Sequence, residues 1–215
     1  RPPQAALEKG TKLRQCIGNR PVLVCASTRD GEENLILDAL DRLESEALLL
    51  LIPRHPQRFE TVAQQIQKRQ IPMVRRSALS DFSGKMVPSD TRILLGDSMG
   101  EMFSYYAAGD VAFIGGSLKK LGGQNLIEAC AVGLPVLIGP HTFNFEAISA
   151  DAVAAGAAIR IASATELMQE VNELFANAKR RHETGDRAKQ FAVKQHGATE
   201  RTMALMAPLM EEKTT

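Results

Sequence analysis

The most informative segment of the chain reads Ile114-Gly-Gly-Ser-Leu-Lys-Lys-Leu-Gly-Gly-Gln-Asn-Leu-Ile-Glu128. It ends the apolar run 111–114, which is typical of a buried strand, and leads into a helix that we predict over 125–132. Glycine pairs let the backbone approach a ligand closely, and free N–H groups at a helix start attract an anion such as phosphate. Asn125 and Glu128 share a helix face, where a carboxylate can accept hydrogen bonds from ribose hydroxyls. The pattern indicates a ligand site; the alternative is a flexible loop before an ordinary acidic helix start.

Strand-like and helix-like segments alternate on both sides of this segment. Short apolar runs predict strands at 21–26, 47–52, 72–76, 92–95, 111–114, 135–138 and 157–161. Helical spacing and capping signals predict helices that begin near Asp30 and at Ser163, and others over 56–70, 99–108, 125–132, 144–154, 179–195 and 198–210. The alternation predicts an α/β fold with a Rossmann-like parallel sheet and helices on both faces. Ligands of such folds bind beyond the carboxyl ends of the strands.

The composition argues against several function classes. The chain has 215 residues, 44% of them hydrophobic, and a net charge of +1, so no general affinity for nucleic acid is indicated. Cys16, Cys25 and Cys130 form no Cys-x-x-Cys pair, which favours reduced thiols in a cytoplasmic protein. The four histidines are dispersed, so we expect no metal site. The glycine segment matches neither the dinucleotide fingerprint nor the lysine-containing P-loop, which disfavours hydride transfer and ATP hydrolysis.

Two loops that follow predicted strands carry charge. The stretch Ile52-Pro-Arg-His-Pro56 places Arg54 directly after a strand, where its planar donor fork matches a phosphate. An ordinary surface turn is the alternative. In Gly96-Asp-Ser-Met-Gly-Glu101, backbone groups could contact a base edge and Glu101 could cap its own helix, whereas Asp97 or Ser98 could be a plain helix cap.

Two further loops are weaker candidates. The stretch 27–33 combines hydroxyls, a cation and a helix start, although Asp30 and Glu33 are equally consistent with a capping pair. The stretch Gly139-Pro-His-Thr-Phe-Asn-Phe145 places His141 at a strand end. Both loops are expected at the same edge of the sheet as the glycine segment.

Taken together, six motifs in register resemble the donor-binding domain of GT-B glycosyltransferases and, more narrowly, the bacterial Kdo (3-deoxy-manno-octulosonic acid) transferases. That family adds Kdo to the lipid A precursor of lipopolysaccharide. Ala129 stands where the family pattern has proline, and Arg29 where it has histidine. The motifs are STRDGEE at 27–33, IPRHP at 52–56, GDSMGE at 96–101, FIGGS at 113–117, GGQNLIEA at 122–129 and GPHTFNF at 139–145.

The resemblance implies CMP-Kdo as the donor substrate, with no cofactor and no metal. The phosphate is expected at Arg54 and at the start of the 125–132 helix, the ribose at Glu128, and the cytosine at the backbone of 99–101. The implied CMP contacts are Pro53, Arg54, Met99, Gly100, Glu101, Asn125, Leu126, Ile127 and Glu128. A loop region for the donor sugar or phosphate is expected at Ser27, Thr28, Gly115, Gly116, Ser117, Gly123, Gln124, His141 and Asn144.

The resemblance also implies a second Rossmann-like domain, with the active site between the two. Because the chain begins Arg1-Pro2-Pro3, we expect a fragment: a linker over 1–18, the donor-binding domain over 19–178, and C-terminal helices over 179–215 that pack on it and on the missing N-terminal half. The general base and the binding site of the lipid A precursor are expected in that half. No catalytic residue is therefore assigned here, and the soluble fragment is expected to be inactive alone. The full-length enzyme is expected at the cytoplasmic face of the inner membrane.

Two alternatives stay open on the sequence. A UDP-type GT-B transferase or an epimerase would keep the glycine segment and the ribose-binding glutamate. A non-catalytic α/β binding module would bind no nucleotide and would tolerate the loss of Arg54 or Glu128.

Overall fold

The computed structural model describes residues 1–79 and 86–211, and for 196–211 only the backbone. Within these ranges, seven strands form one parallel sheet in the order β3-β4-β2-β1-β5-β6-β7. The strands are β1 (Val22–Thr28), β2 (Leu48–Pro53), β3 (Met73–Arg75), β4 (Ile93–Leu95), β5 (Val111–Ile114), β6 (Val136–Ile138) and β7 (Ala158–Arg160). The predicted Rossmann-like parallel sheet is confirmed.

Helices connect the strands and cover both faces of the sheet. They are α1 (Gln4–Ile17), α2 (Glu32–Asp38), α3 (Phe59–Lys68), α4 (Met102–Ala108), α5 (Ile127–Val132), α6 (Glu146–Ala154), α7 (Ala164–Ala176) and α8 (Ala178–Glu211). Short 3-10 turns occupy Leu40–Arg42, Pro56–Arg58, Arg76–Ala78 and Phe143–Phe145. In the described part of the chain, no helix is both long enough and apolar enough to cross a membrane.

Strand β2 shows how the sheet is buried on both sides. Successive side chains of a strand point to opposite faces, so a strand covered on both faces is apolar throughout. In β2, Leu48 and Leu50 pack on the side covered by α1, α4, α5 and α8, whereas Leu49 and Leu51 pack on the side covered by α2, α3 and α7. All four side chains are fully buried.

The N-terminal stretch differs from the expectation of a linker over 1–18. It contains α1, whose Leu13, Cys16 and Ile17 are buried in the same cluster as Tyr106 of α4. These apolar residues recur at helical spacing, so they form a stripe that the sheet side of the molecule can bury. The stretch is therefore part of the packed unit.

Other helix boundaries also differ from the predicted ones. The predicted 99–108 helix begins at Met102, and the predicted 125–132 helix begins at Ile127, because the residues before each start form the loop that leaves the preceding strand. The two helices predicted over 179–195 and 198–210 form the single helix α8. The helix continues through Gly197, as helices tolerate a single glycine at a modest cost in stability. Of the predicted 179–215 segment, residues 212–215 lie outside the described residues.

The topology brings distant loops to one edge. β1 pairs with β2 on one side and with β5 on the other, and β2 also pairs with β4. All these pairs are parallel, so the loops after β1, β2, β4 and β5 leave the sheet at the same carboxyl edge. The candidate site lies along this edge.

Candidate functional site

A cavity of about 270 Å³ opens at the carboxyl edge of the sheet. Nine of the residues that the sequence proposed line it, and the other nine do not. Those that line it are Ser27, Pro53, Arg54, Met99, Gly100, Glu101, Gln124, Asn125 and Glu128. Those outside its lining are Thr28, Gly115, Gly116, Ser117, Gly123, Leu126, Ile127, His141 and Asn144. The cavity is therefore built by the loops after β2 and β4 and by the start of α5, with Ser27 from the end of β1.

Arg54 and Glu128 give the cavity its free charges. The backbone N–H of Arg54 donates to the carbonyl of Thr28 at 2.9 Å, which fixes the loop, while its side chain is exposed. Glu128 lies in the first turn of α5 and is half-buried. Among the described residues, neither side chain makes a hydrogen bond or an ion pair. An unmatched cation and an unmatched acid in one cavity suit a ligand that carries an anion and hydroxyl groups.

The protonation of Glu128 reflects its place in the cavity. Burial raises the pKa of this carboxyl above the ordinary glutamate value of 4.5, and the charge of Arg54 lowers it, with the net shift upward. Burial has this effect because it penalises the charged form. The charges of the two side chains therefore interact across the cavity, although the side chains form no ion pair.

The loop after β4 forms another wall of the cavity and contains a different acid, Glu101. Glu101 forms an ion pair with Arg76 at 2.9 Å and another with Lys9 of α1, and it accepts a hydrogen bond from Ser98. Burial by itself would raise the pKa of Glu101, but the bonds from Lys9 and Ser98 and the charge of Arg76 outweigh it and lower the pKa. The carboxylate thus anchors the wall, and Met99 and Gly100 form its exposed part.

The expected capping roles in this loop are not found. Glu101 occupies the N-cap position of α4, but its side chain makes no capping hydrogen bond. Asp97 instead accepts from the backbone N–H and the hydroxyl of Ser77, at 2.8 and 2.7 Å. Both acids are used in tertiary contacts, which a local capping rule does not anticipate.

Five residues that were not assigned to the site from the sequence complete the lining, four of them aromatic or apolar and one a serine. They are Ile52, Ser98, Met102, Tyr105 and Tyr106. Burial raises the pKa of both tyrosine hydroxyls well above the ordinary value, so they stay neutral. Met102, Tyr105 and Tyr106 could have been found from their place in the helix that follows β4, since that helix begins at the carboxyl edge of the sheet.

In the glycine segment after β5, backbone N–H groups bind a buried acid of the protein instead of opening to the cavity. Glu32 is fully buried and accepts hydrogen bonds from the backbone N–H groups of Gly116 at 2.5 Å and Leu118 at 2.8 Å. Ser117 is also buried; its hydroxyl donates to the carbonyl of Ile114 and accepts from the N–H of Gly139. The sequence places Gly115, Gly116 and Ser117 in a loop for the donor sugar or phosphate, whereas in the structure the N–H groups of both glycines and the hydroxyl of Ser117 bond inside the protein.

The second glycine pair serves the same internal packing. The N–H of Gly123 donates to the carbonyl of Gly116 at 2.7 Å, and the N–H of His141 donates to the carbonyl of Ser117 at 3.0 Å. The backbone of Asn144 donates to the carbonyl of Gly122 at 3.0 Å, and its side chain contacts Leu121. These residues hold the loops after β5 and β6 together beside the cavity.

At the start of α5, one of the amides that were expected to face an anion has a partner within the protein. Leu126 takes the N-cap position and is buried in the core. The N–H of Ile127 donates to Oδ1 of Asn125 at 3.0 Å, so that amide is already matched. Of this turn, Asn125 and Glu128 reach the cavity.

The loop after β1 contributes less to the cavity than expected. Ser27, with a backbone φ of 55°, lines the cavity, whereas Thr28 is buried and donates to Glu33 at 3.2 Å. Arg58 bridges Glu33 and Asp30, at 3.2 and 2.7 Å, and the capping pair considered for these two acids is not found because Gly31 takes the N-cap position. Burial raises the pKa of Glu33, and Arg58 and Thr28 lower it, with the net shift upward. Within the described residues, no group of three His, Cys, Asp or Glu side chains could hold a metal ion.

Known proteins are similar to this chain in sequence and in fold. Residues 83–191 match the family of glycosyl transferases group 1. The chain is 45% identical over 207 residues to the 3-deoxy-D-manno-octulosonic acid transferase of Bordetella pertussis, an alignment that covers 94% of this chain and 47% of that protein. The C-terminal CMP-Kdo binding domain of WaaA from Acinetobacter baumannii is 30% identical, with a TM-score of 0.79 and coverage of 88% of this chain and 98% of that domain. The chain belongs to the glycosyl transferases group 1.

Within this glycosyltransferase family, the chain is a relative of the Kdo transferases, which confirms the resemblance carried by the six motifs. A second relative, the 3-deoxy-D-manno-octulosonic acid transferase of Haemophilus influenzae, is 36% identical over 197 residues, 90% of this chain and 45% of that protein. The sheet is one Rossmann-like half of a GT-B architecture. The chain spans about half the length of the curated relatives that it matches.

Proposed function

We propose that this chain is the donor-binding half of a Kdo transferase and that its cavity binds the CMP part of CMP-Kdo. The observation that carries the proposal is the pair Arg54 and Glu128, two charged side chains in one cavity that form no hydrogen bond or ion pair with any described residue. A nucleotide supplies the complement of both, since it offers a phosphate to the cation and ribose hydroxyls to the acid. The chain is similar over its length to a domain named for CMP-Kdo binding.

Each wall of the cavity has a part in this binding. Arg54 binds the phosphate through its planar donor fork, and Glu128 accepts from the ribose hydroxyls. The exposed backbone of Met99 and Gly100 meets the edge of the cytosine, held in place by the anchored Glu101 behind it. Ser27 and Gln124, which line the same cavity, are the residues of the proposed sugar and phosphate loop that can reach the donor.

The transfer itself needs groups beyond this chain. An inverting transfer requires a general base that takes the proton of the acceptor hydroxyl as it attacks the donor sugar. We assign no such base to a carboxylate of this chain, because Glu101 is held in ion pairs and Glu128 is committed to the ribose. The other half of the protein would supply the base and bind the lipid A precursor at the cytoplasmic face of the inner membrane. This chain alone would bind donor and transfer nothing.

Calorimetric titration of the chain with CMP tests the proposal. We expect saturable binding, and we expect Arg54→Ala and Glu128→Gln each to weaken it about tenfold or more, since each removes a charge-assisted contact. The matched controls are Arg187→Ala and Glu8→Gln, which remove the same charges from exposed helix positions and should leave the affinity unchanged. Addition of a chelator should change nothing, because the proposed site uses no metal.

The same titration separates the other candidate functions. Tighter binding of UMP or UDP than of CMP would contradict the assignment and favour a UDP-type enzyme. Absence of binding by all three nucleotides would favour a non-catalytic α/β module. Equal affinity of the Glu128→Gln variant and the unaltered chain would overturn the assigned ribose contact.

A further inference from the structure

Glu32 is a buried acid that holds backbone instead of a cation. It begins α2 and is fully buried, and among the described residues it forms no ion pair. Its Oε2 accepts from the N–H groups of Arg29 at 2.9 Å and Gly116 at 2.5 Å, and its Oε1 accepts from the N–H of Leu118 at 2.8 Å. A buried carboxylate without hydrogen bonds would be strongly destabilising, so these three bonds fix its position and, in turn, the position of the loops.

The bonds of Glu32 connect two walls of the cavity. Arg29 lies two residues after Ser27, which lines the cavity. On the other side, the carbonyl of Gly116 accepts from the N–H of Gly123 at 2.7 Å, and Gly123 directly precedes Gln124 and Asn125 in the cavity lining. One side chain therefore joins the loop after β1 to the loop that leads into α5.

The two loops lie too close for a side chain to separate them. A Cβ on Gly115 would fall 2.6 Å from both the carbonyl oxygen of Ser27 and the Cα of Thr28, which are backbone atoms with little freedom to move. The distance between the loops after β1 and β5 is therefore set by their backbone contact and by the Glu32 carboxylate, which bridges them. No other side chain accepts hydrogen bonds from both loops among the described residues.

We infer that Glu32 is a positioning residue for the nucleotide cavity, which sets the separation between Ser27 and the pair Gln124 and Asn125 without touching the ligand. The inference rests on the proposed function, since CMP is the ligand whose affinity reports the separation. A carboxylate suits this position because it is an acceptor at both oxygens. A glutamine there would point an NH₂ group at an N–H donor in either orientation and would lose at least one of the three bonds.

The test compares Glu32→Gln with Glu33→Gln. Glu33 is the adjacent residue and equally buried, but it contacts Arg58 and Thr28 and not the glycine loop. We expect CMP affinity, measured by calorimetry well below the unfolding temperature, to fall about tenfold in Glu32→Gln and to stay within about twofold in Glu33→Gln. Amide hydrogen exchange should quicken at Gly116, Leu118 and Gly123 only in the first variant.

Each outcome decides one proposal. If the unaltered chain binds CMP and Glu32→Gln binds it equally well, the positioning role is wrong while the proposed function stands. An equal loss in both variants would mean general loosening and would also overturn the role of Glu32. If the unaltered chain binds no CMP, the proposed function fails and the positioning role fails with it. Should Glu32→Gln not fold, Glu32→Asp, which keeps the charge but shortens the reach, carries the same expectation of weaker CMP binding.

Discussion

The glycine-rich loop after β5 lies beside the cavity, and each of these two regions contains one acid that forms no ion pair among the described residues. Glu32, under the loop, accepts three backbone hydrogen bonds and is fully buried. Glu128, in the cavity, is half-buried and accepts no hydrogen bond from any described residue. The first carboxylate joins two loops of the protein, whereas the second keeps its hydrogen-bonding capacity for a molecule that enters the cavity.

The two regions therefore differ in what they give to stability. In the closed loop the carboxylate of Glu32 and the carbonyls of Gly116 and Ser117 have donors, so a change there removes interactions that hold the fold. In the cavity a partly desolvated carboxylate without a donor lowers stability, a cost that a bound ligand offsets. The loop is recognised by its many glycines. The cavity is recognised by a cation and an acid that form no ion pair among the described residues.

A side chain added in the closed region should destabilise the protein more than any other change considered below. Gly115→Ala should lower the free energy of unfolding by about 3 kcal/mol, because its Cβ would lie 2.6 Å from backbone atoms of Ser27 and Thr28. Gly100→Ala, at the rim of the cavity, should cost only about 1 kcal/mol, since no atom lies within 4 Å of its Cβ and the penalty is confined to its φ of +75°.

Urea denaturation of the two glycine variants measures this difference directly. If Gly115→Ala were as mild as Gly100→Ala, the loops after β1 and β5 would be free to move apart. That result would remove the contrast between a closed and an open region. It would also weaken the role inferred for Glu32.

The fold was predictable from the sequence where local patterns act alone. The predicted helix start at Ser163 is confirmed: Ser163 caps α7 and accepts from the N–H of Glu166 at 3.2 Å, and Glu166 accepts from the N–H of Ala162, the residue before the cap, at 2.7 Å. The parallel sheet followed from apolar runs that alternate with helices. α1 lies in the stretch 1–18 that the sequence analysis assigned to a linker, although Leu13 and Ile17 lie at helical spacing.

Site residues were predictable where the position of a single residue after a strand is enough to place it at the carboxyl edge of the sheet. Arg54 and Glu128 follow β2 and β5 along the chain and reach the cavity as expected. Glu32 was not predictable as a partner of the glycine segment, because Gly116 lies 84 residues further along the chain and the contact exists only after folding. A glycine pair looks the same in sequence whether its amides face a phosphate or an internal carboxylate.

A second prediction concerns Glu101, a cavity residue whose carboxylate, like that of Glu32, is held by partners within the protein. Glu101→Gln should lower the free energy of unfolding by about 1.5 kcal/mol at pH 7, since Arg76 and Lys9 lose their shared anion. The folded-state pKa of Glu101 lies below its ordinary value of 4.5, so the unfolded chain binds more protons in that range. The stabilisation is therefore complete above about pH 4.5 and is lost as the pH falls through the lowered pKa.

Urea denaturation from pH 7 to pH 3 checks the effect of Glu101. The difference between the unaltered chain and Glu101→Gln should shrink steadily toward acid pH. Glu8→Gln serves as the control, because Glu8 is exposed and bonded only to Gln4 in the described structure. A difference that does not vary with pH would mean that Glu101 stabilises the wall by packing and not by charge.

The smallest expected effect has the opposite sign and belongs to Glu128. Its folded-state pKa is raised above 4.5, chiefly by burial, so the folded chain binds more protons there and stability falls as the pH rises through that range. Glu128→Gln removes the cost and should leave the chain equally stable or more stable at pH 7, by less than about 1 kcal/mol, with the difference vanishing below about pH 4.5. With CMP present the order should reverse, because only the unaltered chain gains stability from tight ligand binding. A Glu128→Gln variant that is clearly less stable without ligand would show that this acid holds the fold as Glu32 does, and the contrast between the two regions would be lost.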